Sequence, residues 1–293
     1  MTPIRPRRSA LYMPASNARA VEKAKTLPAD AVIFDLEDAV APDLKGEARE
    51  AVRAAVRAGG YGPRELVIRI NGLGTPWGEG DLEAAASAAP DAILIPKVSS
   101  PEDVLEVSRR LRAHGAPETT RVWAMVETPL AILRAREIAA AALDDTSRLA
   151  CFVMGTNDLA KDTRARLRPG RAAMMPWLMT ALAAARAYGI DILDGVYNDL
   201  SDEAGFRSEC IEGRDCGFDG KTLIHPGQIA AANAIFAPSP EDVENARAIA
   251  ALFDRPENAA KGAISHNGRM VERLHAEMAK RTLALAEAIA RRG

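Results

Sequence analysis

Short apolar runs recur along the chain, separated by alanine-rich stretches with helical spacing. The runs cover residues 9–13, 31–36, 66–71, 92–97, 122–127, 150–155, 191–196 and 221–225. Most are near-continuously apolar rather than alternating, the pattern of parallel strands covered on both faces. The segments between them carry helix-start chemistry. Ser100-Pro101-Glu102-Asp103 and Thr128-Pro129 each place a capping hydroxyl before a proline at the first helical position. Ala51-Val52 with Ala55-Val56, and Leu105, Val107 and Leu111, then supply apolar positions at helical spacing. Eight strand–helix alternations predict a (β/α)8 TIM barrel over residues 1–236; a doubly wound open sheet is the structural alternative.

The tail breaks the pattern. Residues 238–254 read as one helix and 270–292 as another, joined by a polar, small-residue stretch over 255–269. Residues 237–293 are thus expected to form a C-terminal helical extension, packed on its own barrel or on a neighbouring subunit.

Polar residues gather where the strands end, which is where the βα loops of such a barrel converge. They are Asp35-Leu36-Glu37-Asp38, Arg69 and Asn71, Lys97, Glu127, Asn157-Asp158, and His225. Glu127 directly follows the apolar run 122–126, and Asp158 lies at the same end of the next βα unit. Neighbouring strands run about 4.8 Å apart, so the two carboxylates are placed to share one hard cation; capping a helix or pairing a lysine is the bland alternative. Arg69 interrupts a strand of Leu, Val and Ile, and a buried guanidinium needs a partner. Either it binds a carboxylate or thioester oxygen of a ligand, or it pairs with Glu37 or Asp38. Lys97, after a proline, reads as a Schiff-base lysine or an ion-pair partner.

Composition removes several function classes. The chain of 293 residues carries 38 Lys+Arg against 40 Asp+Glu, a net charge of −2, which speaks against a nucleic-acid surface. Cys151, Cys210 and Cys216 show no zinc spacing and suit inert thiols in a reducing compartment. No apolar run reaches the length of a signal h-region or of the roughly 20 residues that span a bilayer, so no membrane association and a cytoplasmic location are expected. Gly217-Phe218-Asp219-Gly220-Lys221-Thr222 ends like a P-loop, but Asp215 stands where its first glycine belongs. Gly72-Leu73-Gly74 with Gly78 has the wrong spacing for a dinucleotide fingerprint.

The chain resembles the citrate lyase β-subunit-like (HpcH/HpaI aldolase) family of coenzyme A ester lyases. The resemblance rests on Arg8-Ser9-Ala10-Leu11-Tyr12-Met13-Pro14, Asp35-Leu36-Glu37-Asp38-Ala39-Val40, Val67-Ile68-Arg69-Ile70-Asn71, Ala124-Met125-Val126-Glu127-Thr128-Pro129, Gly155-Thr156-Asn157-Asp158-Leu159 and Gly217-Phe218-Asp219-Gly220-Lys221-Thr222-Leu223-Ile224-His225-Pro226. It implies Mg2+ (or Mn2+) on Glu127 and Asp158, with Arg69 on the substrate's carboxylate or acyl oxygen. Glu37 and Asp38 would order metal-bound water. Residues 16–23, with Arg19 and Lys23, and the segment ending in His225 and Pro226 would receive coenzyme A. The implied reaction cleaves or forms a 3-hydroxyacyl-CoA such as malyl- or citramalyl-CoA, giving an acyl-CoA and a 2-oxoacid. Thioester hydrolysis, or a citryl-acyl-carrier-protein lyase subunit, are the alternatives. The family also implies a homo-oligomer, a trimer or a multiple of it, in which an aspartate of a Gly-Lys-Met-Ile-Asp segment serves as acid/base across the interface. The matching stretch here is Gly268-Arg269-Met270-Val271-Glu272, so Glu272 is the expected counterpart, flanked by His266 and His275.

Overall fold

A computed structural model describes residues 4–292 except 259 and 267. All eight apolar runs are strands: β1 (Ser9–Pro14), β2 (Ala31–Asp35), β3 (Glu65–Arg69), β4 (Ala92–Ile95), β5 (Arg121–Val126), β6 (Leu149–Met154), β7 (Asp191–Asp194) and β8 (Gly220–Leu223). Every neighbouring pair is parallel, and β1 pairs with β8 through Ser9 opposite Lys221, which closes the barrel. The sheet is therefore closed, and the open doubly wound alternative is excluded. Most strands stop slightly earlier than their apolar runs, leaving Glu37, Asn71, Lys97 and Glu127 just beyond β-geometry, with Asp158 in the first turn of the helix that follows β6.

The helices form where capping was expected. Ser100 and Asp103 make a reciprocal capping box ahead of the helix Pro101–Ala113, and the Thr128 side chain accepts the Ala131 N–H. Inside the barrel, Ala10, Ile33, Val67, Leu94, Trp123, Cys151, Val153 and Leu193 pack as one fully buried cluster. Its lower end is closed by Arg7. That guanidinium donates twice to Glu65, at 2.7 Å each, donates to Asp191, and lies 5.0 Å over the Trp123 ring. A buried arginine is tolerable there because its fork is matched by carboxylates and its face by an indole.

Residues Arg7–Asn233 form one compact unit and those from Ala234 onward belong to a second. The second unit corrects the expected two-helix tail. Its first helix runs Pro240–Asp254, capped by Ser239, close to expectation. The second does not begin at Met270. Arg269–Glu272 is instead a strand, β10, antiparallel to β9 (Ala263–His266), and the helix starts only at Arg273. The linker stretch 255–269 thus contains β9. Among the described residues no helix is long and apolar enough to cross a membrane.

Candidate active site

A cavity of about 360 Å³ opens at the carboxyl ends of the barrel strands. Tyr12, Asp35, Asp38, Arg69, Met125, Glu127, Met154, Asp158, Asn198 and Thr222 are among its walls, so Arg69, Asp38, Glu127 and Asp158 meet in one place as the sequence suggested.

Arg69 is fixed first. The β2–β3 register sets Asp35 directly opposite it, and the guanidinium grips both Asp35 oxygens at 2.7 and 2.6 Å. Such a bidentate fork is the strong form of the pair. The remaining terminal nitrogen lies 2.9 Å from Glu37 and 3.4 Å from Asp38, while the Tyr12 ring sits 4.9 Å beneath. Arg69 is therefore an ion-paired arginine at the cavity wall. Both expected partners are present, but the principal one, Asp35, was not anticipated. Burial alone would lower the Arg69 pKa; Tyr12, Asp35 and Glu37 outweigh it and raise it.

Glu127 is 1% exposed and accepts the Lys97 backbone N–H at 2.7 Å. That N–H can reach it because Lys97 adopts the left-handed conformation, φ +53°, an uncommon state for a side-chain-bearing residue. The opposite constraint comes from Gly155. A Cβ there would fall 2.4 Å from the Glu127 Cβ and 2.5 Å from its Oε2, so only glycine lets β6 end this close to the carboxylate. Gly155 also begins the helix Thr156–Thr163, whose first turn carries Asp158. Burial, reinforced by Glu37 and Asp158, pushes the Glu127 pKa up to about 7 despite the Lys97 N–H and ammonium. Burial likewise raises Glu37, against the pull of Arg69.

Glu37 is held from behind. Lys45, buried under the loop, donates to the Leu36 and Glu37 carbonyls at 2.9 Å each and to Asn71 at 2.8 Å; Asn71 in turn donates to Asp81. This support was not read from the sequence, because it depends on a helix lysine turning inward. The Glu37 Oε2 atom is buried without a hydrogen-bond partner; its 2.9 Å approach to Arg69 is an ion contact off the hydrogen-bond line. Above it, the Lys97 ammonium lies 3.2 Å from Glu37 Oε1 and 4.0 Å from Asp158, so the ion-pair reading of Lys97 is the one realised.

This set fits a hard divalent cation. Burial, with Glu37 and Asp158 close by, raises the Glu127 carboxylate to about 7, and a second carboxylate oxygen, Glu37 Oε2, has no hydrogen-bond donor. Among the described residues no three His, Cys, Asp or Glu side chains are gathered as a full ligand set. Two carboxylates with the remaining positions left to water and substrate oxygens is the arrangement Mg2+ tolerates.

The other expected residues lie elsewhere. Arg19 and Lys23 are exposed on the short helix Ala18–Lys23 and are not among the cavity's walls. His225 caps a turn, its Nδ1 accepting the Gly227 N–H at 3.0 Å, and Pro226 follows as the first residue of that turn; the wall residues from this segment are Thr222 and Ile224. Lys221 is fully buried in a network with Asp194 at 3.0 Å and Glu209 at 2.6 Å, joined by Arg171. It therefore holds the barrel wall rather than facing a ligand. Glu272 ends β10 and caps the following helix, its N–H donating to His275 Nδ1 at 2.9 Å, which makes that histidine a capping partner. Of His266, only the backbone in β9 is described.

The family model described as HpcH/HpaI aldolase/citrate lyase matches residues 8–226. The chain is 50% identical over 285 residues to a (3S)-malyl-CoA thioesterase of Cereibacter sphaeroides, covering 97% of this chain and 96% of that protein. It is 36% identical to the citrate lyase subunit beta of Escherichia coli, covering 97% and 94% of the two chains. Its fold is similar to the crystal structure of protein CitE from Mycobacterium tuberculosis in complex with magnesium, acetoacetate and coenzyme A. That match has a TM-score of 0.76 and 32% identity over 95% of this chain and 97% of that one.

Proposed function

The chain belongs to the HpcH/HpaI aldolase/citrate lyase family, and from that premise we propose that it is a Mg2+-dependent enzyme acting on a malyl-type 3-hydroxyacyl-CoA thioester. The observation that carries this reading is the buried Glu127, crowded by Glu37 and Asp158 in a cavity walled by Arg69. Glu127 and Asp158 would hold the cation. Bound there, Mg2+ supplies Lewis acidity towards substrate carboxylate and carbonyl oxygens.

The remaining work falls to the chain. Arg69, immobilised by Asp35, presents fixed positive charge to an oxygen that gains negative charge during reaction, without reorganising as it does so. Glu37, whose Oε2 is buried 2.9 Å from Arg69 and whose Oε1 faces the Lys97 ammonium at 3.2 Å, would with Asp38 order water on the cation. We keep Glu272 as the further acid/base, supplied within an oligomer of the chain, with residues 237–293 as the segment that carries it. Coenzyme A would approach over the exposed Arg19 and Lys23 and the His225-Pro226 turn.

Two outcomes are open to this set. In hydrolysis, water oxygen bonds to the thioester carbonyl carbon, the carbon–sulfur bond breaks, and the thiol leaves with a proton. In lyase chemistry, the substrate hydroxyl loses its proton, the carbon–carbon bond breaks, and the acyl-CoA carbon is protonated. We place hydrolysis first. A relative sharing half the residues over nearly the whole chain is a (3S)-malyl-CoA thioesterase, and Glu272 replaces the aspartate that the lyase pattern implies. Carbon–carbon cleavage, the reaction that the family resemblance implies, stands second. Incubation of the folded protein with (3S)-malyl-CoA and Mg2+ separates them. Free thiol without glyoxylate supports hydrolysis; glyoxylate with acetyl-CoA supports the lyase; neither product sinks both.

A further inference from the structure

We propose that Lys97 is a tethered counter-cation of the metal site, whose ammonium holds the charge of Glu37 and Asp158 and so weakens the protein's own affinity for the divalent ion. The inference rests on the metal site proposed above. Three observations carry it. The Lys97 ammonium stands 3.2 Å from Glu37 Oε1 and 4.0 Å from Asp158 Oδ1, between a buried carboxylate and an expected ligand. Its backbone is turned left-handed, so the same residue also donates its N–H to Glu127, the other expected ligand. Of the neighbouring cations, Arg69 is clamped by both oxygens of Asp35, while Lys161 bonds the same Asp158 Oδ1 directly at 2.8 Å and lies 3.6 Å from Asp162, which leaves Lys97 as the lysine that spans Glu37 and Asp158.

A positive charge about 4 Å from a carboxylate interacts strongly wherever the surroundings are less polar than water. A divalent ion entering between Glu127 and Asp158 must either displace the ammonium from its partners or accept its repulsion, and both lower affinity. The 4.0 Å separation from Asp158 is too long for a hydrogen bond, so field and not geometry couples them. An anionic substrate reverses the balance, since its carboxylate adds the negative charge and the ligand oxygens that Lys97 offsets. Metal and substrate are then taken up together rather than in sequence. Lys97 is on this account a positioning residue for charge, not a group that reacts.

The test is a Mn2+ titration of the full-length, chelator-stripped protein, followed by electron paramagnetic resonance of the free ion. Lys97→Met keeps the stem and deletes the charge, and should bind Mn2+ about tenfold more tightly, equivalent to about 1.4 kcal/mol. Lys97→Gln provides a second neutral variant should the first fold poorly, and Lys97→Arg should stay within about twofold of wild type, since only charge is invoked. Unchanged or weaker binding in both neutral variants overturns the proposal, as does tighter binding in Lys97→Arg equal to that in Lys97→Met. Absence of Mn2+ binding by the wild-type protein is a different failure: it removes the metal site itself, and this inference with it.

Discussion

Replacing Gly155 by alanine tests whether the close approach of β6 to Glu127 is what holds the site. The added Cβ would meet the Glu127 Cβ at 2.4 Å, its Oε2 at 2.5 Å and its Cδ at 3.2 Å. Non-bonded carbons rest about 3.5–4.0 Å apart, so one side must yield by more than about 1 Å. Neither side is free: the Gly155 N–H is bonded to the Val126 carbonyl at 3.1 Å, and Glu127 is pinned by the Lys97 N–H. Overpacking of this kind costs about 1–3 kcal/mol, a fall of roughly 2–5 °C in melting temperature for a chain of this size. A displacement of about 1 Å at a reacting centre costs on the order of 100-fold in rate. The expected variant is thus a folded, modestly destabilised protein with Mn2+ affinity reduced at least about tenfold and turnover reduced about 100-fold. Thermal melts, Mn2+ titration and release of thiol from malyl-CoA measure the three quantities. A variant with wild-type affinity and melting temperature would show that the backbone moves freely there and that the glycine is incidental.

Glu127→Gln and Asp158→Asn should each abolish Mn2+ binding while leaving circular dichroism and melting nearly unchanged, because neither opens a core cavity; unfolding of both would make the carboxylates structural. Lys45→Met should lower stability by about 1–3 kcal/mol in urea, since it strands the Leu36 and Glu37 carbonyls and the Asn71 amide oxygen; a neutral effect would mean that water replaces the ammonium. At acid pH the Asp194 network should fail. Burial raises the Asp194 pKa, but Lys221 and Arg171 outweigh it and hold the folded value below the ordinary one. Its stabilisation is therefore present above about pH 3.9 and is lost as pH falls through the lower folded value. Lys221→Met should remove much of that dependence, and a melting temperature with an unchanged acid limb would contradict the assignment.

The barrel was legible because its strands are nearly continuous apolar runs, and one reading of period and length locates all eight. Glu127 and Asp158 were legible for a related reason: an acid at, or within a few residues of, the end of such a run has few places to go except the barrel mouth. Pairings across strands were harder. Asp35 and Arg69 are 34 positions apart, and only the β2–β3 register reveals that they face each other. Lys45 and Tyr12 escaped because each looks ordinary in its own element, one a helix lysine and the other a strand aromatic, and their roles exist only through space. In the tail, β9 and β10 are four-residue strands of mixed polarity around Gly268, too short to show a period against the long helical pattern that follows. His225 and Lys221 have local partners that their shared motif does not reveal: one caps a turn and the other is sealed in an ion network.

The pairing of Ser9 with Lys221 constrains how the protein can be made. Its first strand leaves the ribosome about 210 residues before the strand that completes its hydrogen bonds, an interval of roughly 10–40 s at ordinary synthesis rates. Throughout that time β1 offers one unpaired edge, and Arg7, whose partners include Glu65 and Asp191, cannot plug the barrel floor. Nascent chains should therefore rely on chaperones until the eighth strand emerges, and truncations just short of Gly220 should aggregate rather than fold with a missing stave.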